Sequence, residues 1–243
     1  MGSDIPRYQN VEAILRAEIT DLPPNTLLPT ELQYAKRFDV SRVTIRRAME
    51  MLEKSGMISR SRGRGTIVCP PKVTRRFSPL YSFDQDFNDQ GIEVETQILD
   101  YQENVVPPEW IRTRLKLKPA VVTSLLSLLR LVDDRIISHD IRYYPSGTSK
   151  RLKNHLDKGL EISEFLARLI PMRNSVDWDS EIVSSYSDIA NVLRIATGSL
   201  VVENSFVYFT ESGKPIEAGA MSYRIDRCKF KYEGKFSAWS SNE

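Results

Sequence analysis

Sulfur and imidazole are scarce in this sequence. Its two cysteines, Cys69 and Cys228, and its two histidines, His139 and His155, are too few and too scattered for a disulfide framework or a zinc site. No metal site and no cofactor are therefore expected. No stretch approaches the roughly 20 apolar residues that span a bilayer, and the start, Met1-Gly2-Ser3-Asp4, lacks a basic segment followed by an apolar one. The expectation is a cytoplasmic chain with no membrane partner. With 41% hydrophobic and 27% charged residues, disorder and collagen-like composition are excluded as the main state. A length of 243 residues is long for one core and sufficient for two domains.

The formal net charge of +2 hides an asymmetry. Residues 1–76 hold fourteen basic and eight acidic residues, a balance of +6, whereas the remainder holds twenty against twenty-four, a balance of −4. A basic segment beside an acidic one suggests a polyanion-binding module joined to something else, although a charge excess is also the mark of an ordinary solvated face. Between the two parts lies a run from Cys69 to Pro79 whose paired prolines, Pro70 and Pro71, favour an extended path over a helix. The division expected is residues 1–69 as one domain, 70–79 as a linker and 80–243 as a second domain.

In the first part, Val11, Ile14, Leu15, Ile19 and Leu22 recur at helical spacing until Pro23-Pro24 blocks continuation. Thr30-Glu31-Leu32-Gln33 has the form of a capping box, opening a short second helix with Leu32, Ala35 and Phe38 on one face. Ser41 is a good N-cap for a third helix with the stripe Ile45, Ala48, Met49 and Leu52. Two short helices joined by a turn of this kind match a helix-turn-helix. The third helix presents Ser41, Arg42, Thr44, Arg46 and Arg47 in its first turn and a half, the end that enters a major groove, where arginine donates two bonds to guanine or pairs with phosphate. After Gly56, residues 57–60 and 66–68 read as strands of a basic hairpin, or wing, whose tip holds Arg62, Gly63, Arg64 and Gly65. A solvated arginine face explains any one of these arginines about as well. The ordered series of cap, turn, basic helix and basic wing favours duplex DNA.

These residues resemble a known family. Leu28-Pro29-Thr30-Glu31, the run from Phe38 to Ala48, Leu52-Glu53-Lys54-Ser55-Gly56 and Arg62-Gly63-Arg64-Gly65-Thr66 look like the GntR-type bacterial winged helix. The resemblance implies a homodimer on a pseudo-palindromic double-stranded operator, with Arg42, Thr44 and Arg46 in the recognition role and the wing glycines and arginines at a minor groove. One position departs: Leu32 stands where the family often has arginine.

Residues 96–102, 120–131, 135–144, 176–186, 200–210 and 215–224 are rich in Val, Ile, Tyr and Phe and read as a mostly antiparallel sheet, with helices over 107–115, 162–169 and 188–195. The stretches from Ser82 to Asp86, Leu129 to Asp134, Asp140 to Pro145 and Lys214 to Arg227 resemble the UTRA effector-sensing domain of the HutC subfamily. The fold implied is α+β: a winged helix-turn-helix followed by a chorismate-lyase-like α+β domain. The resemblance implies an effector site of Ser82, Phe83, Arg130, Asp140, Glu217 and Tyr223. Sugar-phosphate binders of this kind tend to carry two alternate arginines on the strand. Leu128 replaces the first, which favours a small polar effector bearing a carboxylate, hydroxyls or an amine. In the competing reading, Arg130 pairs with Asp140 across neighbouring strands and binds nothing. An enzyme on a lyase-like fold is a rival that no nucleophile elbow, metal-ligand spacing or phosphate-cradling motif supports. A constitutive DNA-binding dimer without effector is another.

Overall fold

The structure, a computed structural model, describes residues 6–61, 63, 65–77 and 83–232. It divides into two compact units: residues up to Val73 with Ile225–Lys229, and Thr74–Arg224 with the described residues from Phe230 on.

The first unit contains helices α1 (Arg7–Thr20), α2 (Glu31–Phe38) and α3 (Arg42–Lys54), then the hairpin of β1 (Ile58–Ser61) and β2 (Gly65–Val68). Thr30 and Gln33 form both halves of the capping box on α2, and the Ser41 hydroxyl accepts the Thr44 amide at the start of α3. Asp39 ends α2 in the left-handed conformation at φ 50°, which turns the chain toward α3. The core gathers Val11, Leu15 and Ile19 of α1 with Tyr34 and Ala35 of α2, the whole stripe of α3, and Leu28, Ile58 and Val68. Two residues assigned to the helix-one stripe lie outside it: Ile14 and Leu22 are exposed, because the buried set on α1 steps by four, from 11 to 15 to 19. On α2, Tyr34 takes the inward place expected of Leu32, which stands half in water. A bridge from Leu27 to Ile67 extends the wing by one residue pair that the sequence does not announce.

The second unit is built on a six-stranded antiparallel sheet in the order β4-β5-β6-β9-β8-β7. Its strands are β4 (Glu95–Val105), β5 (Thr123–Val132), β6 (Arg135–Tyr144), β7 (Ser175–Ser184), β8 (Leu200–Phe209) and β9 (Pro215–Arg224). On the back face, α5 (Glu109–Arg114) packs with Tyr143, Val207 and Ala218, and α8 (Ser187–Leu193) packs with Leu129, Leu131 and Val201. On the front face, α6 (Ser146–Leu156) and α7 (Ile162–Leu169) cover Leu126, Leu128 and Tyr144.

Two α-helices and two strands have no counterpart in the sequence reading. Helix α4 (Phe83–Asn88) is six residues long, and α6 has only Leu152 and Leu156 as large apolar residues, so neither shows an amphipathic stripe. β3 (Val73–Phe77) and β10 (Cys228–Tyr232) pair as a separate two-stranded ribbon. Part of the stretch read as linker, residues 70–79, is thus a strand. Its extended path was legible from the prolines, but its partner lies more than 150 residues away.

Candidate DNA-reading face and effector site

The start of α3 is exposed and cationic. Arg42, Arg46 and Arg47 point to solvent while Ile45, Ala48 and Met49 face the core, so one helix turn separates fold from surface. The Ser41 hydroxyl lies 2.9 Å from that of Thr44, so the pair that caps the helix also borders its outer face. Arg46 is 3.5 Å from Glu31 with more than half of its side chain exposed, a surface pair worth little. Arg47 lies over the Tyr8 ring at 6.0 Å, and Arg42 makes no ion pair among the described residues. Arg60 is committed elsewhere, between Glu31 and Glu53. At the wing tip, Gly63 and Gly65 have φ of 87° and 81°, a region in which a side chain is strained. A Cβ on Gly63 would meet nothing, whereas one on Gly65 would lie 2.9 Å from the Leu27 side chain. Arg62 and Arg64 lie outside the described residues.

The second unit holds its arginines in the opposite condition. Register puts Ser138, Asp140, Arg142 and Tyr144 of β6 on the front face, beside Tyr223, Met221, Gly219 and Glu217 of β9. Of the expected effector residues, Phe83, Arg130, Asp140, Glu217 and Tyr223 are all buried and belong to this one surface, and Ser82 lies outside the described residues. Arg130 donates to Asp140 at 3.3 Å, to Asp84 at 3.1 Å and to Thr96 at 2.5 Å. Its guanidinium lies 4.8 Å from the centre of the Phe83 ring, which stacks on Tyr223. The pairing of Arg130 with Asp140 across β5 and β6 is therefore real, and it is only part of a larger chain. Arg142 joins Asp140 at 3.0 Å to Glu217 at 2.5 Å, and Arg173 reaches the other oxygen of Glu217 at 2.6 Å.

Burial alone would push the carboxyls of Asp140 and Glu217 up. The neighbouring arginines outweigh it and hold both below their ordinary range: Arg130 and Arg142 for Asp140, Arg173 and Arg142 for Glu217. Burial, with Glu217 adding to it, drives the Tyr144 phenol far up, so it stays protonated and donates to Glu217 at 3.4 Å. A second knot surrounds Asp86, which accepts from the Arg75 guanidinium, the Arg76 backbone and the Arg76 guanidinium.

Arg142, Arg173, Asp84, Asp86 and Arg75 are members that sequence reasoning missed. Arg142 had a signal, since it continues the alternation of Asp140 on β6. Arg173 follows α7 in an irregular segment, 44 residues from Glu217, and had none. Leu128, where a second arginine was sought, is fully buried in the apolar cluster beneath α7.

An exposed cationic helix start on a winged helix, joined in one chain to a sheet domain with an enclosed polar face, defines the class of two-domain transcription regulators. The model of bacterial regulatory proteins of the gntR family matches residues 7–68, and that of the UTRA domain matches residues 89–229. This chain belongs to the GntR family and carries a UTRA domain. It is 26% identical over 231 residues to the HTH-type transcriptional repressor NagR of Bacillus subtilis, covering 94% of each chain. It is 22% identical to the HTH-type transcriptional regulator YurK of the same organism, covering 97% of this chain and 98% of that one. Among solved structures, PhnF from Mycobacterium smegmatis superposes with a TM-score of 0.63 at 19% identity, over 93% of this chain and all of the other, a likeness of fold. The family binds DNA through the helix-turn-helix, its UTRA domains bind small-molecule effectors, and its members are regulators and not enzymes. No helix among the described residues is long and apolar enough to cross a membrane.

Proposed function

We propose that the chain is a homodimeric repressor of the HutC type that reads a pseudo-palindromic operator with an affinity controlled by a small polar effector. The observation that carries this reading is the start of α3, where three exposed arginines stand opposite an apolar stripe on one helix. Arg42, Thr44 and Arg46 read base edges, Ser41 and Arg47 border them, and the wing tip from Arg62 to Gly65 contacts a minor groove. Residues 1–69 are the DNA-binding domain, 70–79 the connection and 80–243 the effector-binding and dimerising domain, acting in the cytoplasm. Half-sites one helical turn apart need recognition helices about 34 Å apart, so an effector that alters their spacing weakens binding. The name of NagR supports the sign of control.

For the effector, Phe83, Arg130, Asp140, Glu217 and Tyr223, with Ser82, form the site. Its guanidiniums are already held by carboxylates, and this supports a ligand with a carboxylate, hydroxyls or an amine over a sugar phosphate. Thermal-shift screening of the full chain against metabolites tests this, followed by duplex binding with each hit. A sugar phosphate bound far more tightly than amino or carboxylic compounds overturns the ligand class. The closed pairing of Arg130 with Asp140 and Asp84 favours one second reading, in which the network is a structural clamp and the domain only dimerises. That reading prevails if every stabilising compound leaves duplex affinity unchanged.

A further inference from the structure

Among the described residues with buried polar atoms lacking a hydrogen-bond partner, Asn204 is the side chain with both its donor and its acceptor unpaired. Asn204 lies in the middle of β8, is 0% exposed, and has no hydrogen-bond partner on either its amide nitrogen or its amide oxygen. Its register neighbours do not serve it: on β9 it faces Met221, and on β7 it faces Ser180, whose hydroxyl lies against that of Tyr232 at 3.2 Å. An amide withdrawn from water without a partner destabilises the fold, whereas an apolar side chain of similar volume would not. The sequence nevertheless keeps the amide inside the run Val201, Val202, Glu203, Asn204, Ser205, Phe206.

Its location connects it to the polar face. Asp140, Met221 and Asn204 occupy one row across β6, β9 and β8, and Phe206, two residues along, carries the Arg142 guanidinium 5.2 Å from its ring centre. In that network Arg130, Arg142 and Arg173 are matched one for one by the carboxylates Asp84, Asp140 and Glu217, and only the Nε groups of Arg142 and Arg173 stay unpartnered among its described atoms. Asn204 offers the complementary asset: two donors and an acceptor in one plane, without charge.

We propose that Asn204 is a specificity-determining residue of the effector site, taking an uncharged group that presents a donor and an acceptor side by side. A primary carboxamide or a vicinal diol has this form, and the effector is then neutral or zwitterionic. The proposal rests on the effector-sensing reading above and sharpens it to one class of ligand.

The test uses the full chain, wild type and Asn204→Leu, with probes paired so that one member is neutral at the relevant group: L-glutamine against L-glutamate, and D-glucose against D-glucose 6-phosphate. Without a probe, Asn204→Leu is expected to melt a few degrees higher than wild type, because the unpaired amide is gone. A neutral probe should stabilise the wild type, and its half-saturating concentration should rise roughly tenfold or more in the variant. A variant that melts lower than wild type overturns the proposal, since the amide is then part of the scaffold. So does an equal response of both proteins, stabilisation by the charged members alone, or no response to either neutral probe. The melting measurements need no DNA, so a wild type that binds no duplex defeats the regulator reading without touching this one.

Discussion

Arg42, Arg46 and Arg47 stand in water along α3, whereas Arg75, Arg130 and Arg142 are buried on the sheet domain, each bonded to a carboxylate. The same side chain thus serves two ends. An exposed guanidinium adds little to the fold and keeps its charge for a polyanion, while a buried one spends its charge inside the molecule and fixes geometry. Charge count alone does not separate these uses. The second unit has a net negative balance in sequence, yet its interior is where the arginines concentrate.

The comparison breaks first at Glu217. Its removal in Glu217→Ala leaves Arg142 and Arg173 buried without their shared carboxylate. Urea unfolding should register a loss of about 3–5 kcal/mol; a loss below about 1 kcal/mol would mean that water already screens the network. Arg46→Ala should have the reverse profile: stability within about 0.5 kcal/mol of wild type, and duplex affinity reduced by about 1–3 kcal/mol in a sequence-dependent manner. An equal loss on every duplex reassigns Arg46 to phosphate, and a marked loss of stability makes its contact with Glu31 structural.

Smaller effects sharpen the contrast. Arg64→Ala at the wing tip should lower the slope of log affinity against log salt by about one, as one lost phosphate contact requires; an unchanged slope excludes that contact. His139, on the back face, shares its Nε2 with the Ser127 hydroxyl at 2.8 Å, and burial lowers its pKa despite the nearby Asp140. A histidine whose folded pKa lies below its unfolded value contributes stability that is complete above about pH 6.5 and is lost as pH falls through the folded pKa. Glu203, raised by burial and by Glu181, acts with the opposite sign and has to be subtracted. Melting curves of His139→Gln should therefore be flatter below pH 6.5 than those of wild type, and identical pH profiles would remove His139 from the balance.

How much of this was legible follows from the range of each interaction. The Thr30-Gln33 box, the Ser41 cap and the wing glycines act within a few residues, and all were readable. So were the six sheet strands, with β6 and β9 bounded to the residue, because β-branched and aromatic runs ended at turn residues. The effector-site residues that could be described were carried by resemblance alone, and all five are buried. Arg173 and Asp84 act across 44 and 46 residues, on Glu217 and Arg130, where no local pattern reports the contact. Asn204 was hidden differently, in the polar run Glu203-Asn204-Ser205, although its own face of β8 otherwise carries Val202, Phe206 and Tyr208. Ile14 and Leu22 erred in the other direction, since hydrophobicity at helical spacing marks a stripe without fixing its width.

The central claim is that the outer face of α3 reads sequence on a duplex. Selection of bound fragments from a randomised duplex library by the purified chain, with and without competitor DNA at physiological salt, tests it most directly. The account predicts enrichment of an inverted repeat with half-sites about one helical turn apart, lost in Arg42→Ala and Arg46→Ala. A pool that stays random, or that the two variants enrich as well as the wild type, would contradict it.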